Sequence, residues 1–244
     1  MCSCFSGPAA FFGVSSSKKP VEFGYWGIRG LGSVCRMVLE YAGAKYEDKQ
    51  YADMDSWFSG RKPEILKMNA LANLPYLVDG DVCVCQTNSV LHYLGAKLGL
   101  SGDTAEARRV NDELLNEIYD VRNGMIDLVY PFKKVNRDQA EFEGNAKKVV
   151  DTLPFSKFED ILTRRGTAYF CGKKPCTSDF HIWEMLDQHK MLAERFGKPD
   201  ALDAYPKCRA FYDRFRALPQ LQKYFASDSY KLPINNPLAK AYFS

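Results

Sequence analysis

Residues 23–32, Phe-Gly-Tyr-Trp-Gly-Ile-Arg-Gly-Leu-Gly, carry the aromatic hydroxyl of Tyr25 at the end of a short apolar run, with three glycines in the turn that follows. A phenol placed there, between a strand and a helix, carries an O–H donor that could serve chemistry or simply pack at a domain edge. Other reactive side chains point elsewhere. Eight cysteines, at positions 2, 4, 35, 83, 85, 171, 176 and 208, form no Cys-x-x-Cys pair and no Cys/His spacing of a zinc site, and the chain has three histidines. They read as free thiols of a reducing compartment, and no metal is expected. In Val82-Cys83-Val84-Cys85 strand alternation puts both thiols on one face as small buried hydrophobes. Gln86-Thr87-Asn88 reads, taken alone, as a helix cap, and Asp120 alone as part of a solvated helix face.

The elements that must position these groups follow from hydrophobic period. Residues 21–25 form a buried strand; Val34, Met37, Val38 and Tyr41 give the helical stripe of 29–42, stopped at Gly43. A strand over 45–51, a polar loop holding Trp57, a short helix over 63–68 and two strands around Asp79-Gly80 follow. Val90, Leu91, Leu94 and Leu98 stripe a further helix ending at Gly99, so a small four-stranded α/β domain spans 21–101. From 104 to 230 the chain reads as all-helical: a long helix capped by Thr104 runs to Tyr130, with further helices near 140–165, 178–195 and 205–226. Residues 1–20 read as a disordered leader lacking the pattern of a signal or transit peptide, and 231–244 as a tail wrapping the surface. With 46 % hydrophobic and 26 % charged residues and a net charge of +3 spread without blocks, the 244-residue chain is a folded protein with no nucleic-acid footprint and no membrane-spanning run.

The segments 24–31 (GYWGIRGL), 39–47 (LEYAGAKYE), 73–81 (NLPYLVDGD) and 86–94 (QTNSVLHYL) occur in the order, and nearly at the spacing, of the cytosolic glutathione transferases. The chain resembles their Mu class over about residues 21–230. The resemblance implies a thioredoxin-like N-terminal domain with a four-stranded mixed sheet, an all-α domain for the electrophile, a cytoplasmic homodimer, and glutathione as co-substrate. Tyr25 matches the catalytic tyrosine, donating to the glutathione sulfur. Lowering a thiol pKa by ~2 units needs only ~2.7 kcal/mol of preferential thiolate stabilisation. Trp26, Leu31, Trp57, Arg61, Asn73, Leu74, Pro75, Gln86 and Thr87 complete the implied glutathione site. Pro75 matches the family's cis-proline, which leaves the Leu74 backbone open to the cysteinyl unit. Gln86 and Thr87 match the helix start that takes the γ-glutamyl carboxylate. Asp120 matches a carboxylate that reaches across the dimer. Tyr130 matches a tyrosine facing the electrophile, and fits a core position almost as well.

The chain also departs from the pattern. Between Tyr51 and Trp57 it is several residues short, with Met54 where the family has an arginine, and Cys176 stands at a helix N-cap usually held by Ser or Thr, with Asp179 three residues on. The expected activity is conjugation of glutathione to small hydrophobic electrophiles. A weakly active ligand carrier or structural subunit, and a glutathione-dependent isomerase, remain open beside it.

Overall fold

The computed structural model describes residues 20–130 and 138–236. Of the sequence readings, the leader before Pro20 and the last eight residues of the tail lie outside the described residues. Among the described residues no helix is long and apolar enough to cross a membrane.

The first domain runs β1 (Val21–Trp26), α1 (Gly32–Tyr41), β2 (Tyr46–Tyr51), a π-helical turn (Ser56–Arg61), α2 (Lys62–Met68), β3 (Tyr76–Asp79), β4 (Val82–Cys85) and α3 (Thr87–Leu98). The sheet order is β2-β1-β3-β4, with β1 parallel to β2 and antiparallel to β3, and β3 antiparallel to β4. The parallel β1-α1-β2 crossover requires a helix, whereas Asp79-Gly80, with Gly80 at φ 62°, closes the β3-β4 hairpin directly. The polar loop expected around Trp57 is instead the π-helical turn. Trp57 turns inward and stacks on Tyr76 at 5.8 Å and 15°, and 1 % of its surface stays exposed.

The second domain comprises α4 (Ala105–Val129), α5 (Gln139–Asp151), α6 (Ser156–Arg165), α7 (Thr177–Arg195), α8 (Pro206–Arg216) and α9 (Gln222–Ala226), with 3-10 turns at Ala201–Ala204 and Pro219–Leu221. Thr104 caps α4 by accepting from Ala107 N at 3.0 Å. Two expected helices are divided. Pro154 separates α5 from α6 and Pro219 ends the α8 segment before α9, since proline lacks the N–H and clashes with the preceding turn. Helix α7 is buried continuously from Thr177 to His189 and packs against α1 and α3 of the first domain, so one apolar core joins Phe23, Val34 and Leu91 to Phe180, Ile182 and Trp183.

Beyond α9 the described part of the tail, residues 231–236, lies on the surface at Lys231 and Pro233 and turns inward at Ile234 and Asn235. Ile234 is 2 % exposed, and the backbone at Pro233 and Ile234 accepts from Arg29 N (2.7 Å) and Gly30 N (3.0 Å). An isoleucine and two otherwise unpaired turn amides pull this segment onto the β1–α1 loop.

Candidate active site

Strand alternation sends Tyr25 to the same side as Val21 and Phe23, towards α1. The phenol then lies against the turn because Gly30 and Gly32 present no side chains to meet it. A Cβ on Gly32 would sit 2.5 Å from the Tyr25 ring, and one on Gly30 2.9 Å from its hydroxyl. Leu31 N, at the opening of α1, donates to Tyr25 Oη at 3.2 Å. The hydroxyl thus accepts one bond and keeps its own proton to give. Burial raises the Tyr25 pKa above its ordinary value, opposed in part by the Arg122 guanidinium and the Leu31 amide, so the group stays a neutral O–H donor.

The cavity over this phenol is shared between the domains. Ile28 and Gly30 come from the β1–α1 loop, Arg122, Met125, Ile126 and Tyr130 from α4 and its C-cap, Met185 and Gln188 from α7, and Asn235 from the tail. Tyr130 is buried; burial pushes its pKa up to about 12, and its Oη accepts from Asn236 N at 3.0 Å. Ile28 also lines a neighbouring groove of about 430 Å³, bounded by Trp26, Gly27, Gln50 and Tyr51 on one side and Leu232, Pro233 and Asn236 on the other.

The sheet assembles the remaining first-domain residues. Gly24 pairs with Tyr76 and Tyr76 with Cys85, so one rung further along these antiparallel ladders Pro75 lies between Tyr25 and Gln86. The Leu74–Pro75 bond is cis. Leu74 N is not open as expected: it donates to Asn73 Oδ1 at 2.9 Å, an exposed amide that a peptide-like ligand must displace. Gln86, exposed, has φ 75° and ψ 131°, a backbone state uncommon outside glycine, while Thr87 behind it is buried. No side chain caps α3, which leaves its first amides pointing outward with the helix dipole behind them.

Three other residues stand apart. Trp57 is enclosed with Ile65, Ala72 and Cys85. Arg61 is committed to Glu22, donating to Oε1 from Nη2 at 2.7 Å and Nε at 3.2 Å, with Tyr76 donating to the same oxygen at 2.5 Å. Asp120 lies on the exposed face of α4, close enough for its charge to act on Lys157. Within one chain it is not among the groups lining the Tyr25 cavity. The sequence reading missed Arg122, Gln188 and Asn235. Arg122 was within reach, since it precedes Ile126 by one turn on the α4 face that ends at Tyr130; Gln188 and Asn235 carried no local signal.

At the N-terminal end of α7, where Cys176 stands in the cap position usually held by Ser or Thr, the Asp179 carboxylate accepts from Cys176 N (2.8 Å) and Phe170 N (2.9 Å).

Comparison with known proteins agrees along most of the chain. Residues 21–96 match the family described as "Glutathione S-transferase, N-terminal domain", and residues 119–228 match "Glutathione S-transferase, C-terminal domain". The chain is 32 % identical over 234 residues to glutathione S-transferase Mu 5 of Rattus norvegicus, covering 92 % of this chain and 96 % of that protein. It is 34 % identical over 221 residues to glutathione S-transferase Mu 6 of Mus musculus, covering 86 % and 93 %. Among solved structures, the glutathione S-transferase Blo t 8 superimposes with a TM-score of 0.79 at 25 % identity, covering 90 % of this chain and 98 % of that one. The Pi-class glutathione S-transferase of Onchocerca volvulus gives a TM-score of 0.76 at 25 % identity over 90 % and 99 %.

Proposed function

The chain belongs to the glutathione S-transferase family, and from that premise we propose that it works as a Mu-class, cytoplasmic, homodimeric enzyme in which Tyr25 holds glutathione as its thiolate. It is a transferase, and conjugation is its reaction. The observation that carries the catalytic assignment is a phenol kept protonated by burial, fixed by Leu31 N, at a cavity to which both domains contribute.

Glutathione enters with its cysteinyl backbone beside Leu74 and Pro75 and its γ-glutamyl carboxylate at the uncapped start of α3, where Gln86 and Thr87 stand. The thiol proton leaves to solvent, and the Tyr25 O–H donates to the sulfur lone pair that remains. The Arg122 guanidinium adds a favourable field at the same cavity. The sulfur attacks the electrophilic carbon, the S–C bond forms, and the leaving group departs with the displaced electron pair. Met125, Ile126, Tyr130 and Met185 give the electrophile an apolar bed. Trp26 and Leu31 flank the tripeptide. Because Arg61 is paired with Glu22 and Met54 replaces the family's arginine, the glycine carboxylate gains less from Trp57 and Arg61 than in other members, and glutathione affinity is correspondingly lower. Asp120 serves the partner subunit's site.

Exposed apolar side chains on the first domain support the homodimer. Leu66, Met68 and Leu71, on α2 and the loop after it, are 47 %, 45 % and 68 % exposed. The test of the thiolate assignment is an ultraviolet titration of glutathione on the protein. The expected midpoint lies ~1–3 units below the ordinary value of ~8.5. A bound thiol ionising as it does in free solution rejects the role given to Tyr25.

A further inference from the structure

Outside the conjugation site, the turn that leads into α7 brings three metal-ligating groups together. Cys171 Sγ, Cys176 Sγ and a carboxylate oxygen of Asp179 all lie within 4.8 Å of one another, and the three residues are 7 %, 3 % and 0 % exposed. Both cysteines are free thiols. Their Cys-x4-Cys spacing is not a zinc signature in sequence, so only the fold reveals the pair. Tyr169 and Gly172 close a tight bridge that turns Cys171 back towards the helix start, and the Cys176 backbone is fixed by its bond to Asp179.

The geometry points to a site for a thiophilic d10 cation, Cu⁺ or Zn²⁺, held by Cys171 and Cys176 with Asp179 as the third donor. A cation about 2.3 Å from each of two sulfurs sets them between about 3.7 Å apart for tetrahedral ligation and about 4.6 Å for linear ligation. The separation of less than 4.8 Å between every pair of these donor atoms is compatible with both. Soft sulfur donors select such ions, and the carboxylate balances charge without competing for them. Asp179 accepts a backbone amide at each oxygen, Phe170 N at one and Cys176 N at the other, and a carboxylate oxygen has a second lone pair with which to ligate. Among the described residues no lysine or arginine pairs with Asp179, and the nearby Lys174 ammonium is engaged by Asp103 at 2.9 Å. A cation entering this spot therefore meets three acidic donors, with the one nearby ammonium, Lys174, drawn to Asp103. On binding, both thiol protons pass to solvent, two S–metal bonds form, and no electron is transferred.

The test uses the full chain carrying Cys2→Ser and Cys4→Ser, which removes the C-x-C thiols near the N-terminus, purified reduced and metal-free. Cu⁺ and, separately, Zn²⁺ are titrated against a chromophoric chelator while thiolate-to-metal absorbance and proton release are followed. One ion per chain is expected, and Cys171→Ser or Cys176→Ser should each weaken retention by roughly 100-fold or more. Cys176→Ser places a better N-cap on α7 and keeps the fold, so its loss of metal cannot be attributed to unfolding. Cys83→Ser should leave retention intact. Retention of Cu⁺ alone supports a sulfur-only pair, and retention of Zn²⁺ supports the three-donor set. If neither ion is held, or if both serine variants at 171 and 176 retain it, the site does not exist.

Discussion

At the residue scale, the conjugation chemistry rests on how one hydroxyl is held. Tyr25 can lie against the turn because Gly30 and Gly32 leave it room, and its oxygen already accepts from Leu31 N. Its burial keeps the proton on the phenol, which is the form that can donate to a sulfur anion. Tyr25→Phe removes that donor and nothing else of comparable size. Steady-state assays with an aryl halide should show turnover reduced by roughly 10- to 100-fold, about 1.4–2.7 kcal/mol in the barrier, with the fold and most glutathione affinity kept. Unchanged turnover would mean that the thiolate is stabilised from elsewhere, Arg122 being the nearest alternative.

At the element scale, α7 is the beam to which both domains are fixed, and it carries two histidines into the core. His189 is buried, its Nδ1–H donating to Met185 O at 2.7 Å while Nε2 has no partner, and it packs edge-on to Phe155. His181 is buried with neither nitrogen hydrogen-bonded, facing Tyr119 and the charge of Arg122. Burial lowers their pKa values to about 4 and about 3 respectively. Since the folded values lie below the unfolded one of ~6.5, the unfolded chain takes up the protons first, and stability is full above that pH and falls below it. At pH 5 each histidine should cost about 2 kcal/mol relative to pH 7. Urea unfolding at fixed protein concentration should show a pH 7-to-5 loss smaller by about that amount in His181→Leu and again in His189→Gln. Equal losses in the wild type and both variants would show that acid sensitivity lies elsewhere.

At the scale of the whole molecule, a buried charge cluster ties the catalytic loop to the helical domain. Arg29 donates from Nε to Glu184 (3.0 Å) and from Nη2 to both Glu184 (2.9 Å) and Asp187 (2.6 Å), with the Tyr230 ring 4.6 Å from its guanidinium carbon. Arg29→Leu leaves two carboxylates buried without their cation and should destabilise the protein by about 3–5 kcal/mol, read from the urea midpoint. Arg29→Lys should recover only part of this, because a point charge cannot span both carboxylates; full recovery would show that fork geometry is irrelevant. The proposed dimer is tested at the same scale. Leu71→Asp puts a charge into the exposed apolar patch, and sedimentation should then report the 27.7 kDa single chain in place of twice that mass. A variant still sedimenting as a dimer would move the interface off this patch.

The strands, the stop at Gly99, the Thr104 cap and the Asp79-Gly80 hairpin were legible in the chain because each depends on residues within a few positions of one another. The family was legible too, since its short motifs keep their order. Tertiary structure decided what depends on distant packing. Trp57 left its expected polar loop because Tyr76 offered a ring to stack on, and Arg61 turned to Glu22 across 39 residues of sequence. Within the tail, Ile234 turned inward because it had an apolar place to go and the Arg29 and Gly30 amides lacked partners until Pro233 and Ile234 supplied carbonyls. Periodicity records which face of an element is apolar; it carries no record of which distant group will meet that face, and the Cys171–Cys176 pair, invisible as a spacing, exists only because a turn folds one thiol back onto the other.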